Sequence, residues 1–146
     1  MNNKYFLLSL LIVGSVHAET IDLTCSIDKS SFNLLITTQK NKQPKVYLDD
    51  VDRDSVDELG ISKLANFTMT NSQIKFDVDY EAFKKTYPNG VVSESGFGRS
   101  TYQLNRTTGT ISIFNSLSGG LKDLSPNSTG QSLNTGLCSK RKLNKF

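Results

Sequence analysis

Apolar residues recur at every second position through most of this chain. Ile21, Leu23, Cys25 and Ile27 alternate with Thr20, Asp22, Thr24 and Ser26, the pattern of a strand with one face on a core. Phe32, Leu34 and Ile36 resume it after Asp28-Lys29-Ser30-Ser31. A four-residue loop there pairs Ile27 with Phe32 and Cys25 with Leu34, and keeps both apolar sets on one face. A short strand follows at Val46-Tyr47-Leu48. Ser55-Val56-Asp57-Glu58 then has capping-box spacing and predicts one or two helical turns to about Leu64, weakened by Gly60.

Phe67 and Met69 face Ile74, Phe76, Val78 and Tyr80 across Asn71-Ser72. A two-residue loop pairs Met69 with Ile74 and Phe67 with Phe76, with Asn supplying the positive φ. Tyr80 to Tyr87 has room for a helical turn before Pro88. Asn89-Gly90 is a turn, and Ser93 to Gly98 reads as a glycine-flanked loop. Tyr102 and Leu104 then face Ile111 and Ile113 across Thr107-Thr108-Gly109-Thr110, with Gly109 free to take φ > 0. Ser116 to Gly136, rich in Ser, Gly and Asn, reads as a long surface connection before a last strand around Leu137 and Cys138. The expected fold is all-β: a small antiparallel barrel, or a sandwich, of about six to eight strands with one or two short helical turns.

Two features outside the alternation set the compartment. Met1 to Lys4 is polar and basic, Tyr5 to Val16 is nearly all apolar, and Val16-His17-Ala18 has the small-x-small pattern of a signal-peptidase site. Residues 1–18 are therefore read as a signal peptide and residues 19–146 as one β domain in the periplasm or outside the cell. The apolar run is short for a membrane span, so the processed chain is not expected to cross one. In an oxidising compartment Cys25 and Cys138 are expected to form a disulfide. A bond between first and last strands favours a closed barrel over a sandwich.

Charge and residue inventory narrow the function. The formal charge of +3 falls by one when Lys4 leaves, which does not suggest nucleic acid or a membrane surface as the main partner. The one histidine, His17, leaves with the signal peptide. That removes Ser-His-Asp and Cys-His nucleophile sites and His-ligated zinc. Ser26-Ile27-Asp28-Lys29 has S-x-x-K spacing without the companion motifs of serine acyl enzymes. Asp49 to Glu58 holds six carboxylates; Asp50, Asp52, Asp54 and Glu58 are dense enough for carboxylate catalysis, and Asp50, Asp52 and Asp54, at alternate positions, invite an improvised calcium site. However, the EF-hand positions that need Gly and Glu hold Ser55 and Ile61. No catalytic residue, metal ligand or cofactor is assigned.

Binding residues are assigned on weaker grounds. Phe97, in Ser95-Gly96-Phe97-Gly98, is a candidate protruding anchor, with Glu94 and Arg99 beside it. Arg106 falls on the apolar side of its strand, where a charge must be paired or reach water at a rim. It is the candidate anion contact at a barrel mouth. Asn66, Asn105 and Asn127 open formal glycosylation sequons, read as irrelevant in a bacterial chain.

Tyr102-Gln-Leu-Asn-Arg-Thr-Thr-Gly-Thr-Ile111, with Gly136-Leu-Cys138 and a basic tail ending in Phe146, resembles a loose group of small exported bacterial proteins of unassigned function. The resemblance implies export and β structure. The pairing of a first-strand with a last-strand cysteine also resembles the periplasmic c-type lysozyme inhibitors, which are small β-barrels. Their inhibitory loop carries Ser-Gly shortly before a Tyr; here Ser95-Gly96 stands farther from Tyr102. The expected function is non-enzymatic binding of another protein, in the manner of an inhibitor or immunity protein. The alternatives are a barrel that holds a small apolar or anionic ligand, and, third, a carboxylate-based hydrolase.

Overall fold

A computed structural model describes residues 18–122 and 129–142. Residues 1–17, which hold most of the expected signal peptide 1–18, and the end of the basic tail lie outside the described residues. The described residues form twelve strands: β1 (Glu19–Ile27), β2 (Ser30–Thr38), β3 (Lys45–Leu48), β4 (Val51–Asp52), β5 (Ser55–Val56), β6 (Gly60–Met69), β7 (Gln73–Ala82), β8 (Lys85–Thr86), β9 (Val92–Ser93), β10 (Gly96–Asn105), β11 (Thr110–Gly119) and β12 (Gln131–Lys140). The count exceeds the expected six to eight because β4, β5, β8 and β9 are two-residue ladders. Ten strands make one antiparallel sheet in the order β4-β3-β2-β1-β12-β11-β10-β7-β6-β5, and β8 and β9 form a separate small ribbon. Since β4 and β5 are consecutive in the chain, the sheet curls into a nearly closed barrel with its seam between them.

The first and last strands meet as the cysteines required. Cys25 and Cys138 face each other in the β1–β12 ladder and are joined by a disulfide, Cα to Cα 3.9 Å. Inward-facing positions of six strands supply the core: Cys25, Leu34, Ile36, Val46, Ile74, Phe76, Val78, Leu104, Ile111 and Ile113. Phe76 stacks on Tyr102 at 4.8 Å between ring centroids and on Phe67 at 6.4 Å. These side chains fill the barrel interior between β1, β2, β7, β10 and β11. Burial among them pushes the Tyr102 phenol above its ordinary range, partly offset by Arg53 and by a hydrogen bond with Ser100.

Several expectations are corrected. The β1–β2 loop has two residues, Asp28-Lys29, with Asp28 at φ 51°. Cys25 therefore pairs with Phe32 and Leu23 with Leu34. The slip is two residues, so the same side chains still point inward. The helix predicted from Ser55 to Leu64 is absent. The Asp57 carboxylate instead accepts hydrogen bonds from the Leu59 and Gly60 amides, closing a tight turn between β5 and β6. The helical turn predicted near Tyr80–Tyr87 is strand, running to Ala82 and resuming at Lys85. Met69 pairs with Ile74 as expected, but a bulge between Ala65 and Thr68 shifts the ladder beyond it. Asn71 does not take the expected positive φ; Asn66, in that bulge, does, at 50°. Leu104 pairs with Ile111 and Tyr102 with Ile113 across a loop of Arg106 to Gly109. Gly109 takes φ 74°, and a Cβ there would meet the Cys138 carbonyl at 2.6 Å.

The largest correction concerns Ser116 to Gly136, read as a connection. β11 runs to Gly119 and β12 starts at Gln131. Their inward positions become polar toward this end: Ser100 donates to Asn115 at 2.7 Å, and Asn115 donates to Ser132 at 3.2 Å. A polar inward row hides a strand from hydrophobic alternation.

Candidate binding surfaces

The four binding residues chosen from sequence do not form one site. Arg106 sits at one end of β10; Glu94, Phe97 and Arg99 sit at the other.

At the Arg106 end, β1 extends past the last residue of β12 with which it pairs, and the overhang leaves a cleft of about 800 Å³. Glu19, Ile21 and Leu23 line one wall, Leu104 to Gly109 another, and Ser139, Lys140 and Arg141 a third. Arg106 lies on the inward side, as expected, and is paired: Nη2 donates to the Glu19 carboxylate and Nη1 to the Thr70 carbonyl at 2.9 Å. Arg141 approaches Asp50 at 3.5 Å and Asp22 at 3.9 Å. Asp22 Oδ1 is buried and lacks a hydrogen-bond partner among the described residues.

At the other end, Phe97 lies within β10 and not in a loop, which corrects the sequence reading. Its ring points outward and is 60% exposed. Across the outer face Ile61, Glu81 and Phe97 stand side by side on β6, β7 and β10. Between Ile61 and Phe97 runs a shallow groove of about 350 Å³ floored by Tyr80 and Gly98. One row farther along stand Lys63, Asp79 and Arg99. Arg99 grips Asp79 with two bonds, Nε to Oδ1 at 2.5 Å and Nη2 to Oδ2 at 2.8 Å. That hydrogen bonding holds the Asp79 carboxyl below its ordinary value, against a smaller opposing effect of burial. Burial raises the Tyr80 phenol.

Beyond Ala82 the β8–β9 ribbon projects from this end and frames a second groove, of about 420 Å³, lined by Leu59, Phe83, Tyr87, Val91 and Val92. Leu59, Phe83, Val91 and Val92 are all exposed. Tyr87 accepts at its carbonyl from Gly90 and donates from its amide to Val91, which fixes the ribbon tip. Three ion pairs edge the grooves, and Lys63 and Glu81 also line the first. Lys85 pairs with Glu58 at 2.8 Å, Lys84 with Glu94 at 3.7 Å, and Arg99 with Asp79. Glu94 is thus a rim partner of Lys84. The hydrogen bond that Lys85 donates to Glu58 raises the Lys85 pKa, and the ammonium also lies 5.2 Å from the Tyr87 ring centre.

The sequence reading missed Leu59, Phe83, Val91 and Val92. No periodicity marks them, because they flank turns; the available signal was apolar residues next to Gly60 and Gly90 in otherwise polar segments.

The acidic stretch is consumed by turns and pairs. Asp49 and Asp50 take φ 48° and 64° in the two-residue turn between β3 and β4. Asp49 accepts from the Asn33 amide, and Asp52 accepts from the Asp54 amide and pairs with Lys45. Among the described residues no three His, Cys, Asp or Glu side chains gather where they could hold a metal ion. No helix among the described residues is long and apolar enough to cross a membrane. No protein-family model, curated protein or solved structure matches this chain.

Proposed function

We propose that the chain is an exported, non-enzymatic protein-binding domain of the inhibitor or immunity type, acting in the periplasm or outside the cell. It docks through the end bearing the β8–β9 ribbon. The observation that carries this reading is the exposed apolar set of Leu59, Ile61, Phe83, Val91, Val92 and Phe97, which lines two adjoining grooves. Single exposed apolar residues are ordinary on a soluble protein, whereas a contiguous grooved group marks a contact surface. The cystine supports export, because such bonds persist in oxidising compartments.

The paired rim charges define the partner's chemistry. With Glu58–Lys85, Glu94–Lys84 and Asp79–Arg99 neutralised within the chain, the surface suits a partner that inserts apolar side chains and brings little net charge. Capture from periplasmic extract tests this, comparing the mature chain with Phe97→Glu and Val92→Glu. A stoichiometric partner retained at ~1 M salt, where charges are screened within about 3 Å, and lost in both variants supports the proposal. Retention by both variants, or elution of the partner by salt, rejects it. A c-type lysozyme inhibition assay with the same three proteins examines the inhibitor version directly.

The rim cleft favours a second reading. The cleft of about 800 Å³ lies within the usual range for ligand sites, and it is the recess that Arg106 lines. A carboxylate with a short apolar tail would compete with Glu19 for Arg106 and lay its tail on Ile21 and Leu23. Titration with a medium-chain carboxylate should shift the NMR signals of Glu19 to Leu23 and of residues 104–109, and Arg106→Gln should abolish the effect. Absence of shifts in the wild-type chain removes this reading.

A further inference from the structure

The barrel's strands are staggered, and the exposed edges at β4, β5, β6 and the β1 overhang each carry a device against pairing with another strand. β4 and β5 are two residues long and are flanked by Asp50, Asp54 and Asp57. The free side of β6 beyond its pairing with β5 bears Lys63 and is broken by the bulge at Asn66. The overhang of β1 carries an inward charge, Glu19, tied to Arg106. Short edges, charges, bulges and inward charges are the known means of blunting an edge.

β12 differs. On its β1 side only Leu137 to Lys140 are paired, with Ser26 to Leu23. β1 then turns away toward β2, leaving Gly136 against Ser26 and Ile27, and among the described residues no strand pairs with that side from Ser132 to Thr135. This stretch, Ser-Leu-Asn-Thr, has no charge and no proline. Its register with β11 is unbroken, so it has no bulge. The Cys138 amide bonds Gly109 and the Gly130 carbonyl accepts from Leu117, both on the β11 side. By the alternation of an antiparallel ladder, Leu133 and Thr135 turn their amides and carbonyls to the open side. Leu133 also has its side chain 66% exposed on the outer face, directly beside the exposed Phe114.

We propose that this edge is a homodimer interface, in which β12 of one copy pairs antiparallel with β12 of a second. A two-fold axis at Leu133 makes the pairing self-complementary. Leu133 faces Leu133 as a hydrogen-bonded pair, Ser132 faces Asn134, and the two Phe114 rings flank the new contact. Self-pairing demands that no residue meet its own charge, and the uncharged stretch satisfies that demand; the charged edges of β4, β5 and β6 do not. This interface lies on the opposite side of β10 and β11 from β6 and β7, which carry Ile61 and Glu81 of the apolar end, so it does not rest on the proposed docking function.

Sedimentation of the mature chain over a wide concentration range tests the proposal, with Leu133→Lys, Leu133→Glu and Leu137→Lys as variants. Circular dichroism confirms that each is folded. The wild type should sediment at twice the chain mass at high concentration. Leu133→Lys and Leu133→Glu should each be monomeric, because like charges meet at the axis, and an equimolar mixture of the two should recover the dimer. Leu137→Lys, equally exposed but already paired with Ser26, should leave the dimer intact. A wild-type chain that is monomeric throughout overturns the proposal, as does a dimer that survives both Leu133 variants.

Discussion

Arg106 donates to the carboxylate of Glu19, 87 residues earlier in the chain, while its other terminal nitrogen holds the Thr70 carbonyl. One guanidinium thus ties the first strand to the turn after β6 and to its own turn after β10. The pair is partly exposed, so its worth is that of a surface ion pair with some added geometry, about 0.5–1 kcal/mol of coupling. A double-mutant cycle with Arg106→Gln and Glu19→Gln should return a coupling of that size. Amide exchange in residues 107–109 should quicken in either single variant. A coupling near zero would show that the contact does not close the rim.

Asp77 is a buried carboxylate on the outer face of β7, where alternation calls for an exposed residue. Asn66 Nδ2 and the Thr101 hydroxyl each donate to it at 2.7 Å, so it joins β6, β7 and β10 and holds the bulge closed. Asp77→Ala strands both donors and should cost about 1–3 kcal/mol in chemical denaturation. Asp77→Asn keeps one acceptor and should cost less. Equal losses for the two would mean that packing, and not hydrogen bonding, explains the site.

Strand existence was legible wherever one face was apolar. Ile21 to Ile27, Ile74 to Tyr80, and the pairs Leu104–Ile111 and Tyr102–Ile113 needed only the period-two rule. At the first hairpin register was legible in parity alone: the four-residue loop at Asp28 preserved facing but displaced the pairing by two. What failed was local chemistry that competes with a motif. Ser55-x-x-Glu58 has capping spacing, yet Asp57 satisfied the nearby amides first. Ser100, Asn115 and Ser132 pair with one another inside the barrel, so β11 and β12 lost their signal where their inward row turns polar. The candidate surface was legible only at Phe97. Leu59, Phe83, Val91 and Val92 acquire meaning from a turn and a ribbon that bring distant segments together, which no spacing along the chain records.

The bond between Arg99 and Asp79 sets a pH dependence. Asp79 is ionised in the fold with its carboxyl held below 3.8, its ordinary value, first by hydrogen bonds from Arg99. A lowered folded value means the contribution is complete above about pH 4 and is lost as pH falls through the folded value. The group is about a third exposed, so solvent screening keeps the effect small. Arg99→Gln should move the Asp79 carboxyl up toward 3.8 in a carbon-detected NMR titration, and the variant should lose stability at a higher pH than the wild type. An unmoved titration would show that Lys63, which also faces Asp79, dominates instead.

The cystine joins strands that share a ladder of only four residue pairs, Leu23 to Ser26 with Lys140 to Leu137. It lies inside that ladder and closes a loop of 113 residues. Chain entropy assigns such a loop about 4–5 kcal/mol, an upper figure because unfolded chains retain some structure. The Cys25→Ser, Cys138→Ser double variant should therefore unfold at markedly lower denaturant, with a loss of about 3–5 kcal/mol. The loss should not be uniform. β6, β7, β10 and β11 pair over eight to ten residues each and should keep their exchange protection, whereas β1 and β12 should lose theirs first. Opening that ladder also lengthens the uncharged edge of β12 from Leu133 to Leu137. Reduced protein should then self-associate beyond a dimer, and Leu133→Lys should suppress it. Uniform exchange across all strands after reduction would mean that the cystine acts on the unfolded chain alone and not on the β1–β12 closure.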